Sequence, residues 1–206
     1  MKKAVSLAAC LLAAAVLAFP AEGGPESKIS LGLSGAVALP LNSGLTDNYG
    51  TGIHFGGTVN IALSPTLSIF VDGRYHAFGI KSGAYGYPSS ATLTGGGETI
   101  FSLIGGVKYL FPSEGSVHFY VLGGIGLNLQ SIADLTAQWT VVTIGYTATY
   151  SETRTFGSTA GLGIVLGPGL QVDLGSSLAA FAEVRYASCL GKNMYLPVLL
   201  GLQVKI

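Results

Sequence analysis

After about residue 28, apolar residues alternate with small or polar ones along most of the chain, the period-two pattern of strands with two different faces. The first stretch sets Ile29, Leu31, Leu33, Val37 and Leu39 against Ser30, Gly32, Ser34 and Ala36. The second sets Ile53, Phe55, Val59, Ile61 and Leu63 against His54, Gly56, Thr58, Asn60 and Ala62. The third sets Leu67, Ile69, Val71, Gly73 and Tyr75 against Ser68, Phe70, Asp72, Arg74 and His76. A fourth, over 98–110, is apolar on both parities, with Phe101, Leu103, Val107 and Tyr109 assigned outward. In the fifth, Val117, Phe119, Val121, Ile125, Leu127 and Leu129 oppose His118, Tyr120, Gly124, Gly126 and Asn128. The sixth carries Phe156, Ala160, Leu162 and Ile164 and continues through Leu170, Val172 and Leu174; the seventh covers 178–186. The eighth sets Val198, Leu200, Leu202, Val204 and Ile206 against Leu199, Gly201, Gln203 and Lys205.

The connections sort into two kinds. Short turns are expected at 64–66, 111–116 and 175–177, and longer loops after strands one, three, five and seven, the largest over 130–154. Short turns at one rim and long loops at the other are the habit of a transmembrane barrel. A repeat supports the register: Leu67 to Tyr75 and Leu178 to Tyr186 both read Leu-x-x-Phe-x-acid-x-Arg-Tyr.

Composition decides which face meets which medium. Of 206 residues only 10% are charged and 31 are Gly, and mean hydropathy is +0.56. A soluble lipocalin-like barrel shows the same period with its faces reversed, but here the non-apolar parity is mainly Gly, Ser, Thr and Ala, too poor in charge for a water-facing surface. Past the N-terminus no apolar run reaches the roughly 20 residues of a membrane helix, and only helices and closed barrels satisfy their backbone within lipid. Tyr75, Tyr109, Phe119 and Tyr186 lie on the apolar parity toward strand ends, as an interfacial aromatic girdle requires. The expected fold is therefore all-β: an eight-stranded antiparallel up-and-down transmembrane β-barrel.

The N-terminus has Lys2 and Lys3 followed by an apolar run from Ala4 to Phe19, the layout of a secretory signal. Cleavage after Ala18 and after Gly23 both place small residues at the recognised positions, which divides the chain into an export segment over 1–23 and a barrel domain over 24–206. Leu7-Ala8-Ala9-Cys10 resembles a lipid-attachment motif, but Cys10 reads better as an apolar residue inside the signal. Cys189 is then the one Cys of the mature chain, with no partner for a disulfide or a metal site.

These features together resemble the OmpA/OmpW-type family of small outer-membrane β-barrels (opacity-like porin domains). The residues that carry the likeness are the Phe-x-acid-x-Arg-Tyr strands and the closing Leu200-Gly-Leu-Gln-Val-Lys-Ile206. The resemblance implies a bacterial outer-membrane location with both termini in the periplasm. It also implies outer-membrane lipid and lipopolysaccharide as surroundings, and an assembly signal at Gly201, Val204 and Ile206 read by the barrel-assembly machinery. Family members usually end in an aromatic residue where this chain has Ile206. The periplasmic peptidoglycan-binding domain of OmpA has no counterpart, so cell-wall tethering is not expected.

On the inward parity lie Asp72, Arg74, Glu98, Lys108, Asp173, Glu183, Arg185 and Lys205, four acids and four bases. Charges in a poorly hydrated lumen must pair. Two readings follow: a salt-bridged plug that holds register, or a gate whose Arg and Lys exchange carboxylate partners to pass small or apolar solutes. His54, His76 and His118 fall on three strands, read as lumen histidines bonded to neighbours rather than as one metal cluster. No strand pairs a His with a Ser in the manner of a lipid hydrolase, and Gly161-Leu-Gly163-Ile-Val-Leu-Gly167 lacks the spacing of a dinucleotide loop. No enzyme activity, cofactor or nucleic-acid partner is expected. The loop over 79–97 carries a single charge, Lys81. The strand-like segment 140–150 shares the parity of strand six, so strands five and six are expected to run on beyond the membrane as a hairpin bearing Trp139, Tyr146 and Tyr150. That hairpin is either a rigid loop or an aromatic surface for an extracellular ligand.

Overall fold

The computed structural model describes residues 29–189 and 193–206; the export segment, its cleavage position and Cys10 lie outside them. The chain runs β1 (Ile29–Pro40), a one-turn helix α1 (Ser43–Thr46), β2 (Gly52–Ala62), β3 (Leu67–Phe78), β4 (Thr92–Gly95), β5 (Glu98–Leu110), β6 (Val117–Ile132), β7 (Leu135–Thr143), β8 (Tyr146–Arg154), β9 (Ser158–Asp173), β10 (Leu178–Val184), β11 (Tyr186–Cys189) and β12 (Asn193–Lys205). One sheet runs β1-β2-β3-β5-β6-β9-β10-β12, with β11 continuing the β10 wall, and closes through β1 and β12. Counting β10 and β11 as one wall strand, the barrel is eight-stranded and antiparallel throughout. The start of β1 and the end of β12 both sit at the rim of the short turns, the periplasmic rim.

The parity reading holds along every wall strand. Leu33, Phe55, Ile125, Leu127 and Leu200 are exposed on the outside, while Phe70, Ile104, Tyr120, Tyr195 and Leu199 are buried inside. Large inward side chains need room in so narrow a barrel, and glycine supplies it. A Cβ at Gly106 or Gly124 would crowd Phe70, one at Gly201 would run into Phe181, and one at Gly169 into Tyr120. These glycines are thus shelves beneath bulky inward groups.

Three expectations need correction at the outer rim. The loop after strand seven is not long: the ladder continues Ala187↔Tyr195, Ser188↔Met194, Cys189↔Asn193, leaving only 190–192 between β11 and β12. Small residues and Pro197 hid that pairing, because alternation is faint without large apolar side chains. Phe156 is not in strand six, which begins at Ser158. The β6–β9 ladder stops at Ser131↔Ser158 and β7–β8 starts anew at Leu135↔Arg154. At the break Asp134 replaces the ladder, its carboxylate accepting from the Phe156 N–H at 3.2 Å and its carbonyl from the Gly96 N–H at 3.0 Å. The expected hairpin exists, but as part of a separate three-stranded sheet β4-β7-β8, with β4 contributed by a stretch that read only as loop.

The wall has one weak seam. The Leu174 N–H to Leu178 carbonyl bond (2.9 Å) and the Lys205 N–H to Ser177 carbonyl bond (2.8 Å) fix the ladder phase on both sides of β10. Continued along the register, that phase sets Val184 opposite Pro168 and Arg185 opposite Pro197 at positions where the neighbour's N–H should donate. Arg185 does donate to the Pro197 carbonyl at 3.0 Å, but a proline returns no bond. Two successive carbonyls, of Val184 and Arg185, lose their ladder donors, which is why β10 and β11 are separate. Pro168→Val is expected to raise unfolding stability by about 1 kcal/mol, the net value of one regained hydrogen bond. Urea titration in lipid vesicles checks it; a lower midpoint refutes the seam.

Candidate functional site

The two copies of the Leu-x-x-Phe-x-acid-x-Arg-Tyr repeat lie on β3 and β10–β11, which are four positions apart in the ring of eight and therefore diametrically opposed. Their charges meet on the barrel axis. Asp72 is bonded by Thr58 and by Arg74, and it accepts from Arg185 Nη1 at 2.9 Å. Arg185 also reaches Glu183 at 2.5 Å, and Glu183 accepts from the Tyr120 hydroxyl at 2.6 Å. Arg74 extends the layer to Ser34 Oγ and to His54 Nε2, each at 3.0 Å. All four charged groups are almost wholly buried, and two acids balance two bases. Isolated, each would carry a desolvation cost of several kcal/mol; paired and hydrogen-bonded, they form a neutral layer across the lumen.

The remaining expected charges do not join that layer directly. Lys108 donates to Gln171 Oε1 at 3.1 Å and sits 3.9 Å from the centroid of the Tyr120 ring. Gln171 donates to Asp173 at 3.0 Å, and Asp173 pairs with Lys205 at 3.0 Å near the periplasmic rim. Glu98 lies toward the outer end and accepts from Asn193 at 2.5 Å, with no ion-pair partner among the described residues. Sequence reasoning missed Tyr120, Thr58, Ser34 and Gln171, which all lie on the inward parity; their signal was the register, since Thr58 stands directly opposite Asp72.

Of the histidines, His54 and His76 face each other across β2 and β3 and share a 3.0 Å contact between their Nδ1 atoms, with Tyr195 0.3 Å beyond that distance from His76 Nε2, at 3.3 Å. His118 is apart from them at the periplasmic rim, 2.8 Å from Ser113 Oγ and 3.5 Å from Asp173. The Ser113 hydroxyl also lies 2.8 Å from the Val117 carbonyl, a contact that closes the turn. No group of three or more His, Cys, Asp or Glu side chains able to hold a metal occurs among the described residues. Cys189 is buried and free.

Two cavities of about 10 Å³ each flank the charge layer, one lined by Thr58, Asn60, Phe70, Lys108 and Gln203, the other by His54, His76, Ser102, Asn128 and Tyr195. Each is the size of a single water site.

Outside the membrane the chain builds a second, separate core. Tyr87, Ala91, Leu135 and Ala137 are buried together, with Ile80, Tyr85, Leu93, Trp139 and Phe156 packed on them. Trp139 stacks on Tyr150 at 5.6 Å with an interplanar angle of 17°, and lies 5.8 Å from Tyr87. Arg154 caps the Tyr87 ring at 4.8 Å, and its hydrogen bond holds the Glu152 carboxyl below its ordinary range. Trp139 is therefore largely a packing residue, whereas Tyr146 and Tyr150 are 63% and 46% exposed. Val142 and Ile144 at the hairpin tip are exposed as well. The opposite face of the sheet carries Thr92, Thr94, Gln138, Thr140, Thr147, Thr149, Ser151 and Thr153, all exposed and uncharged, with Thr136 half-buried opposite Thr153 and Val142 opposite Thr147 at the tip.

Comparison with known proteins agrees with this architecture. A family model described as outer membrane protein beta-barrel domain matches residues 6–195. Among solved structures, Neisserial surface protein A is similar at 16% identity and TM-score 0.55, covering 89% of this chain and 100% of its own. The N-terminal barrel domain of Pseudomonas aeruginosa OprF has 14% identity and TM-score 0.44, covering 85% of this chain and 96% of its own. Ail, the attachment invasion locus protein of Yersinia pestis, has 16% identity and TM-score 0.47, covering 85% of this chain and 95% of its own. No curated protein sequence matches the chain.

Proposed function

Because this chain belongs to the outer membrane protein β-barrel domain family, we propose that it is a bacterial outer-membrane scaffold whose working part is the structured surface above the barrel, not a path through it. The observation that carries this reading is the contrast between its two regions. The lumen is crossed by a neutral, fully bonded layer of Asp72, Arg74, Glu183 and Arg185 with room for little more than single waters beside it. Above it, two long loops spend their residues on a cored sheet that leaves Tyr146, Tyr150, Val142 and Ile144 exposed. Ordering a protruding sheet costs about 1–2 kcal/mol per residue in backbone entropy, and exposed aromatic side chains are the usual anchors of a binding surface.

Deleting 135–154 and joining Asp134 to Thr155 leaves the β6–β9 ladder intact up to Ser131↔Ser158. Bacteria displaying that variant are expected to lose at least tenfold in attachment to one another and to cell surfaces, while the barrel still folds. The intact protein is expected to give no conductance steps in planar bilayers. Unchanged attachment after the deletion would overturn the reading, and solute-selective conductance of the intact barrel would replace it with narrow solute passage.

A further inference from the structure

Among the described residues, the outer sheet has one long edge with no strand against it. In the order β4-β7-β8, the strand β8 is paired only on its β7 side among the described residues. An open edge offers its N–H and C=O groups to any passing strand, and proteins ordinarily block it with Lys, Pro, a bulge or brevity. None of these occurs over 146–151, which reads Tyr-Thr-Ala-Thr-Tyr-Ser without charge. The first charges, Glu152 and Arg154, are bonded to each other at 2.9 Å.

The unblocked segment is also self-complementary. Tyr146, Thr147, Ala148, Thr149 and Tyr150 read the same in both directions. Resting on the reading of this sheet as the working surface, we propose that β8 pairs antiparallel with β8 of a second copy of this chain about a two-fold axis at Ala148.

The hydrogen-bond phase permits that register. The hairpin closes through a two-residue turn, Ile144 and Gly145, with Thr143 opposite Tyr146. Such a turn is closed by a hydrogen-bonded pair, so Tyr146, Ala148 and Tyr150 direct their backbone groups to β7, and Thr147 and Thr149 direct theirs to the open edge. An axis at Ala148 sets Thr147 against the second copy's Thr149 in the hydrogen-bonded positions. It sets Tyr146 against the second copy's Tyr150 in the closer, non-hydrogen-bonded positions. Thr–Thr and aromatic–aromatic pairs are both favourable across strands, and no like charges are brought face to face. Both threonines fall on the hydroxyl face and both tyrosines on the aromatic face, so each face continues unbroken across a six-stranded sheet. Pairing of identical surfaces about a two-fold axis closes on itself and stops at two copies.

The test uses the mature chain, refolded, with Cys189→Ala as background. Ala148 would face its own copy in a non-hydrogen-bonded pair, about 4.5 Å between Cα atoms, within the span of a disulfide. Ala148→Cys is expected to give a disulfide-linked dimer on mild oxidation. Thr153→Cys is the control, because this register holds its two copies far apart, and it is expected to stay monomeric. Adding Thr149→Pro to Ala148→Cys removes an open-edge N–H, along with the hydroxyl that lies 3.3 Å from that of Thr140, and is expected to reduce the dimer at least tenfold; Thr149→Lys serves if the proline variant misfolds. Running the oxidation in single micelles and between separate vesicles tells pairing within one membrane from pairing across two, and a dimer in either supports the proposal. Equal cross-linking at 148 and 153, or none at 148 in both settings, overturns it. If the self-pairing fails while deletion of 135–154 still abolishes attachment, the surface-binding reading stands with another partner; if that deletion has no effect, the surface-binding reading itself falls.

Discussion

Arg185→Met is expected to lower the stability of the barrel by about 3–5 kcal/mol, the range for breaking one partner out of a buried ion group. Arg185 is the link between the two repeats: it bonds Asp72 on one wall and Glu183 on the other, at 2.9 Å and 2.5 Å. Without it the central layer changes from two acids and two bases to two acids and one base. Asp72 keeps Thr58 and Arg74, but Glu183 keeps only the Tyr120 hydroxyl. The loss should come from the stranded carboxylate more than from the missing cation, because an uncompensated buried charge costs more than a neutral vacancy of the same shape. Adding Glu183→Gln to Arg185→Met should therefore recover more than half of the loss, leaving Asp72 and Arg74 as a neutral pair. Urea-driven unfolding from lipid vesicles measures both variants. A single variant within about 0.5 kcal/mol of the wild type would show that the layer does not hold the walls together.

Gly169→Ala should cost about 1–3 kcal/mol by overpacking, although a glycine in a strand is ordinarily improved by alanine. A Cβ at Gly169 would run into the Tyr120 ring, including its hydroxyl oxygen. Tyr120 cannot withdraw freely, because its hydroxyl donates to Glu183 and its ring lies under the Lys108 ammonium. The strain therefore passes into the charge layer. Tyr120→Ala alone should cost about 3–5 kcal/mol from the cavity left behind and from the donor lost to Glu183. Combined with Gly169→Ala, it should restore part of that loss, since the added methyl enters space the ring has vacated; contacting residues of this kind couple by about 0.5–3 kcal/mol. Strict additivity of the two changes would mean that the shelf is not what keeps position 169 glycine.

Both predictions depend on groups that the sequence exhibits without joining. Asp72, Arg74, Glu183 and Arg185 were recognisable as inward charges because parity within a strand is local. That they form one layer, while Glu98 and Lys108 meet neutral partners, depends on which strands stand opposite one another after closure. His54 and His76 likewise read as separate lumen residues until the β2–β3 register set them against each other. The pairing of β11 with β12 escaped notice because Ala187, Ser188 and Asn193 carry no apolar contrast, and periodicity is visible only through side chains that differ.

The sequence by itself determined the strands, their inward and outward faces, the number of walls and the membrane as their solvent. These follow from period-two alternation and from a near absence of charge, both readable a few residues at a time. Only the tertiary structure decided that the two Phe-x-acid-x-Arg-Tyr repeats meet on the axis and close the lumen, that glycines lie under the bulky groups filling it, and that β4 joins β7 and β8 in a sheet with an open edge. Each of those is a contact between segments far apart in the chain, set by barrel closure and by the break in the ladder at Asp134, and local pattern carries no information about which distant segment will arrive.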